Sequence, residues 1–151
     1  DNNPDAIVLG DMGAGFTFNL INDLFNHILS GSELVALHKN RFWKSAAGYS
    51  VDIGAFVSAL EYASGRPASI MGKPDSKLFV LACGEWGLPA EKILMVGDDI
   101  EADVGGALNA GMKSVLVKTG KFLAETLQSY DIKPNYIIDS IADLPGIIDL
   151  D

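Results

Sequence analysis

Apolar runs alternate with amphipathic segments along the chain, and this alternation predicts strands separated by helices. Ile53, Val57 and Leu60 recur at helical spacing, and Gly65 is placed to end that helix. The strands after residue 71 are apolar at consecutive positions, which is typical of a parallel sheet covered on both faces. The predicted strands cover 6–10, 33–38, 67–71, 92–96, 114–118 and 135–139. The predicted helices cover 20–28, 53–65, 76–87, about 100–110, 122–130 and a Pro145-interrupted stretch at 141–150.

The segment 39–50 follows neither period. It mixes polar and basic residues with Phe42, Trp43 and Tyr49, so we predict an exposed loop there. Strands that alternate with helices of this length indicate an α/β fold with a parallel, Rossmann-like sheet.

Composition narrows the class of protein. The 151 residues are 48% hydrophobic, and 11 basic against 20 acidic side chains give a formal charge of -9, as in a water-soluble globular protein. This acidity argues against nucleic acid as a partner. No apolar run approaches the roughly 20 residues that cross a bilayer, and the polar first residues do not resemble a secretion signal. We therefore expect a cytoplasmic protein without a membrane partner, in which the single cysteine, Cys83, serves packing.

The strongest local signal for chemistry is an acidic cluster that follows the strand 92–96. Gly97, Asp98 and Asp99 come directly after it, and Asp103 lies one helical turn further on. Ligands of open α/β sheets bind at the carboxyl ends of strands, and a hard cation such as Mg²⁺ stabilises adjacent carboxylates. Acidic residues are equally suited to cap the next helix. Metal binding and capping both stay open at this point.

Two further loops follow predicted strands. Lys73 stands between Gly72 and Pro74, which restrict the backbone and would aim its ammonium at a phosphate; a solvated loop lysine is the alternative. The segment 117–121 is either a polar rim of the same crevice or a plain turn, and the turn is favoured.

The order of these motifs is more specific than any one of them. GKP at 72–74, GDD with a further Asp at 97–103, then GM, a strand and TG resemble the later half of the haloacid dehalogenase-like superfamily of phosphatases. The upstream residues resemble the large cap domain of the branch that includes pyridoxal, phosphoglycolate and phospholysine or phosphohistidine phosphatase-like proteins. The resemblance implies a cap domain at 1–71 and the carboxyl-terminal half of the core at 72–151.

The resemblance also implies a mechanism, in which a phosphoryl group passes to an aspartate and is then hydrolysed. Lys73 would neutralise phosphate charge, Asp98 would bind Mg²⁺, and Asp99 and Asp103 would complete the acidic shell. The substrate would be a small phosphorylated molecule. The cap loop expected to read it contains His38, Lys39, Asn40, Arg41, Phe42 and Trp43. An ordinary surface loop is the alternative there.

One departure from the family pattern is large. Nothing in the sequence matches the family's Asp-x-Asp after the opening strand, which supplies the nucleophile, or its Ser or Thr at the end of a strand ahead of the cap. We expect the chain to be the later part of a longer protein, inactive alone, whose strand 92–96 lacks a neighbour. That strand would need cover from a second copy or from the missing segment.

Two other functions are compatible with the same residues. A non-catalytic phosphate- or metal-binding module would use Lys73, Asp98 and Asp99 without turnover. A phosphoacceptor receiver domain also gathers acidic residues with a Thr and a Lys around Mg²⁺. Its acidic pair follows the first strand, whereas here the pair begins at residue 98, after the cap-like residues, so we discount a receiver domain.

Overall fold

The computed structural model describes residues 4–148. They divide into two compact units, the first ending at Lys73 and the second beginning at Pro74. The boundary expected from the motifs, between 71 and 72, lies two residues earlier. Identification of the units as a cap and a core half stays a prediction.

The first unit is a three-stranded parallel sheet with two helices and a hairpin. Its strands β1 (Ala6–Leu9), β2 (Glu33–Ala36) and β5 (Ser69–Ile70) lie side by side in that order. Thr17 caps the first helix by accepting from the N–H of Leu20, and Gly65, with φ of +67°, ends the second. The buried centre consists of Leu9, Ile28, Leu34, Ala36, Ile53, Val57 and Leu60. The elements are β1 (Ala6–Leu9), α1 (Phe18–Leu29), β2 (Glu33–Ala36), β3 (Phe42–Ser45), β4 (Gly48–Val51), α2 (Ile53–Ser64) and β5 (Ser69–Ile70).

The loop predicted over 39–50 is wrong for most of its length. Strands β3 and β4 form an antiparallel hairpin in which Phe42 pairs with Val51 and Ser45 with Gly48. The rings of Phe42 and Tyr49 meet edge to face at 5.4 Å. Most residues of this two-stranded ribbon are exposed, so neither face carries the alternation of polar and apolar residues that signals a strand.

The second unit is also built on a three-stranded parallel sheet, in which β6 (Leu94–Gly97), β7 (Lys113–Val117) and β8 (Tyr136–Ile138) lie side by side in that order. Its central strand, β7, is buried on both faces, as the apolar run predicts, because residues 114–117 are all inaccessible. The elements are α3 (Ser76–Trp86), β6 (Leu94–Gly97), a π-helix (Ile100–Gly105), α4 (Gly106–Asn109), β7 (Lys113–Val117), α5 (Thr126–Ser129), β8 (Tyr136–Ile138) and α6 (Pro145–Ile148).

Two helices of this unit differ from the prediction. The segment after the acidic cluster begins as a π-helical turn, in which the N–H of Val104 donates to the carbonyl of Asp99, before α4 continues it. The helix predicted over 122–130 is only the four-residue α5, because Phe122, Leu127, Tyr130 and Ile132 pack on the π-helix instead of following one helical stripe. The end of the helix predicted over 141–150 lies outside the described residues.

Between residues 4 and 148 the structure contains no helix that is both long enough and apolar enough to span a membrane.

Strand β6 has a neighbour on one side only within the described sheet. It pairs with β7 from Leu94 to Gly97, and its own side chains are half-buried. An apolar parallel strand with an open edge offers its backbone groups to another strand.

We expect the 151-residue chain to associate with itself or to exchange the β6 amides rapidly, because no strand within residues 4–148 pairs with this edge. Size-exclusion chromatography with light scattering and amide hydrogen exchange measure the two effects. A stable monomer whose β6 amides are as protected as those of β7 would contradict the expectation.

Candidate functional site

The ends of β6 and β7 bring the acidic cluster and the following loop together. The two strands are parallel and in register, with Gly97 opposite Leu116. Asp98 therefore emerges beside the loop that follows β7, and its Oδ2 accepts the backbone N–H of Lys121 at 2.7 Å. Gly120 makes this approach possible: its φ is +53°, and a Cβ there would overlap the carboxylate of Asp98.

Asp99 caps the helical segment that follows it. Its Oδ1 accepts the backbone N–H groups of Glu101 at 3.1 Å and Ala102 at 2.9 Å. Its Oδ2 lies 3.1 Å from Nζ of Lys121, in an ion pair whose side chains are only 17% and 20% exposed. Both oxygens of Asp99 are thus engaged within the protein, which is the capping role that the sequence left open.

Asp103 stabilises the same turn. Its side chain is buried, and its Oδ2 accepts the backbone N–H of Asp99 at 3.3 Å. Gly97 leaves room for it, because a Cβ at that position would overlap the Asp103 carboxylate. The conformation of Asp98–Asp99 therefore depends on a buried carboxylate one turn away.

The three carboxylates predicted to bind metal have different surroundings. Among the described residues no three His, Cys, Asp or Glu side chains converge as the ligands of one ion. Asp99 and Asp103 serve the backbone of the π-helical turn, whereas Asp98 is half-buried at the strand end, with one oxygen held by Lys121. The geometry singles out Asp98 as the carboxylate available for a ligand.

Lys121 is the residue of this site that sequence reasoning missed. From the sequence, the segment 117–121 is either a polar rim or a plain turn, and no side chain in it is a predicted site residue. The available signal is its place in the loop that follows β7, the strand next to β6, two residues beyond Thr119. A contact made by a backbone N–H does not depend on the side chain, so the residue type at position 121 does not predict this contact.

Lys73 lies in the first unit, after β5. Its carbonyl accepts the backbone N–H of Lys39 at 3.0 Å, and the preceding Gly72 packs so closely on the carbonyl of Leu37 that a Cβ would overlap it. The loop carrying Lys73 is therefore fixed against the loop that follows β2. That the Lys73 ammonium meets Asp98 in one pocket stays a prediction.

The predicted substrate-reading loop lies at the same end of that sheet. Nζ of Lys39 forms an ion pair with Glu61 of α2. Burial raises the pKa of Glu61, but the hydrogen bond from Lys39, the N–H of Ala68 and the charge of Lys39 together hold that pKa below its ordinary value. Lys39 therefore has a structural partner, which favours a positioning role for it.

The remaining loop residues are arranged around the start of α2. Asn40 and Arg41 offer their carbonyls to the N–H groups of Gly54 and Asp52. His38 accepts the N–H of Asn40 through Nδ1 at 3.5 Å. The side-chain oxygen of Asn40 is buried without a hydrogen-bond partner among the described residues, and Trp43, on β3, is 43% exposed. The structure thus groups His38, Asn40 and the hairpin at one end of the sheet.

Comparison with known proteins gives a consistent family assignment. A family model described as HAD-hydrolase-like matches residues 70–144. The chain is 43% identical over 121 residues to haloacid dehalogenase-like hydrolase domain-containing protein 2 of Bos taurus, covering 80% of this chain and 47% of that protein. It is 37% identical over 148 residues to phospholysine phosphohistidine inorganic pyrophosphate phosphatase of the same species, covering 97% and 55%.

Solved structures agree. A 4-nitrophenylphosphatase from Thermotoga maritima matches with a TM-score of 0.82 and 31% identity over 95% of this chain and 55% of that one. A glycerol phosphate phosphatase from Mycobacterium tuberculosis, solved in complex with magnesium, matches with a TM-score of 0.74 and 29% identity, covering 89% and 40%. The chain spans about half the length of the curated relatives it matches.

The contact between Gly120 and Asp98 gives a direct test of the site geometry. Gly120→Ala should lower the free energy of unfolding by at least about 1 kcal/mol more than Gly87→Ala does, because the added Cβ overlaps the Asp98 carboxylate. Gly87 is the matched control: its φ is +62° and nothing lies within 4 Å of an added Cβ. Urea unfolding followed by circular dichroism measures both values, and equal losses would show that the two loops are not in contact.

Proposed function

Since this chain belongs to the haloacid dehalogenase-like hydrolases, we propose that it forms part of a phosphatase that hydrolyses small phosphoric monoesters with the help of Mg²⁺. The observation that carries this proposal is the position of Asp98. It stands at the carboxyl end of a parallel strand, held by one oxygen, where open α/β sheets bind their ligands.

The donors at this site fit Mg²⁺. They are carboxylate oxygens, and Mg²⁺ is commonly held by one or two carboxylates together with water and substrate phosphates. When bound, the ion would neutralise charge on the phosphoryl oxygens. We propose Asp98 as its protein ligand and Asp99 and Asp103 as the residues that orient Asp98.

Lys73 is proposed to supply the fixed positive charge on the phosphate side. Its loop is held by the backbone contacts of Gly72 and Lys39, so little conformational freedom is lost when a phosphate binds. The first unit is proposed as the cap, with His38, Asn40 and Trp43 in contact with the organic part of the substrate. Asn40 Oδ1 is buried and has no hydrogen-bond partner within residues 4–148. Rearrangement of the loop when substrate binds would give this acceptor a hydrogen-bond donor.

The nucleophile is proposed to come from outside these residues. The sequence contains no counterpart of the family's Asp-x-Asp motif after an apolar strand, and the open edge of β6 is where a further strand would join the sheet. Activity then belongs to the assembled protein, and this chain alone is proposed to bind ligand with little or no turnover. Self-association is the alternative way of covering the edge.

In the complete protein that contains this chain, Lys73→Ala should reduce kcat for p-nitrophenyl phosphate by about 100-fold or more, because a preorganised charge at the transition state is lost. Lys77→Ala is the control: that side chain is 79% exposed and pairs with Asp75. It should change kcat less than about twofold. Equal changes of kcat in the two variants would contradict a role of Lys73 in the reaction.

Asp98→Asn should raise the Mg²⁺ concentration needed for half-maximal activity, and removal of Mg²⁺ by EDTA should abolish hydrolysis. The amide keeps the shape of the side chain but loses the charge that attracts a hard cation. A magnesium titration of the complete protein and of the variant measures this. Activity that survives EDTA, or identical titrations, would contradict the assignment and favour a module that binds phosphate without metal.

A further inference from the structure

Lys121 contacts both members of the acidic pair, through two different parts of the residue. Its backbone N–H donates to Asp98 Oδ2 at 2.7 Å, and its ammonium lies 3.1 Å from Asp99 Oδ2. The first contact persists whatever side chain is present, provided that residue 121 keeps its N–H. The second depends on the lysine side chain, which is 17% exposed.

The two contacts have opposite consequences for a cation. The backbone contact fixes Asp98 without adding a net charge. The ammonium occupies the one oxygen of Asp99 that does not cap the π-helical turn, because Oδ1 already accepts from Glu101 and Ala102. A divalent ion that approaches Asp98 therefore meets a positive charge already paired with the neighbouring carboxylate.

We propose that Lys121 is a positioning residue that acts as the resident counter-ion of the acidic pair. Its ammonium occupies Oδ2 of Asp99, so that a metal ion binds to Asp98 alone and does not bridge the two carboxylates. The same charge weakens the binding of Mg²⁺ in the absence of substrate, so that tight binding of Mg²⁺ requires the negative charge of a bound phosphate. This inference rests on the proposed role of Asp98 as metal ligand.

The size of the effect follows from electrostatics. Removing one positive charge beside a half-buried carboxylate pair should strengthen binding of a divalent cation by about three- to tenfold at physiological ionic strength. A lysine that is already paired with a different and exposed carboxylate should have much less influence. Lys118 meets this description, because it pairs with Asp139 at 2.8 Å and its side chain is 44% exposed.

The experiment measures Mg²⁺ affinity of the 151-residue chain by isothermal titration calorimetry, without substrate, for Lys121→Met, Lys121→Arg, Lys118→Met and Asp98→Asn. Lys121→Met should lower the Kd by about three- to tenfold. Lys121→Arg, which keeps the charge, should restore the original value. Lys118→Met changes net charge by the same amount and should leave the Kd within about twofold. Far-UV circular dichroism checks that each variant is folded.

The outcomes separate this inference from the proposed function. Weaker or unchanged Mg²⁺ binding by Lys121→Met, or an equal gain from Lys118→Met, would overturn the counter-ion role while leaving Asp98 as ligand. Should Lys121→Met fail to fold, Lys121→Gln takes its place with the same expectation. Binding that is unchanged in Asp98→Asn would instead refute the metal assignment itself. A gain confined to the uncharged variants of residue 121 supports the inference.

Discussion

The site depends on one contact between neighbouring strand ends, the hydrogen bond from the backbone N–H of Lys121 to Asp98. Parallel pairing of β6 with β7 sets the two loops side by side. Gly120 and Gly97 then remove the Cβ atoms that would keep the carboxylates of Asp98 and Asp103 at a distance. An acidic pair that would otherwise repel itself is thereby held by one ion pair and by backbone donors.

The three aspartates of the site have different roles. Asp103 is buried and orients the backbone of Asp99, and Asp99 in turn caps the π-helical turn and pairs with Lys121. Asp98 differs from both, because its carboxylate accepts the backbone N–H of Lys121 and does not cap the turn. Single π-helical turns are frequent at functional sites.

The sequence predicts the elements whose pattern reflects burial. The apolar run of β7 and the helical spacing of Ile53, Val57 and Leu60 both correspond to buried faces in the structure. The hairpin at Phe42–Val51 was not predictable in the same way, because most of its residues are exposed and no face alternates. Lys121 is not predicted for another reason. Its contact with Asp98 is made by the backbone, and it depends on the pairing of β6 with β7, which the sequence pattern does not predict.

The central proposal is that Asp98 binds a Mg²⁺ ion and that Lys73 binds the phosphate of the substrate. A crystal structure of the complete protein grown with Mg²⁺ and inorganic phosphate tests it most directly. The account predicts Mg²⁺ on an oxygen of Asp98 and phosphate within about 3 Å of the Lys73 ammonium. Phosphate bound away from Lys73, or Mg²⁺ held by other residues with Asp98 free, would contradict it.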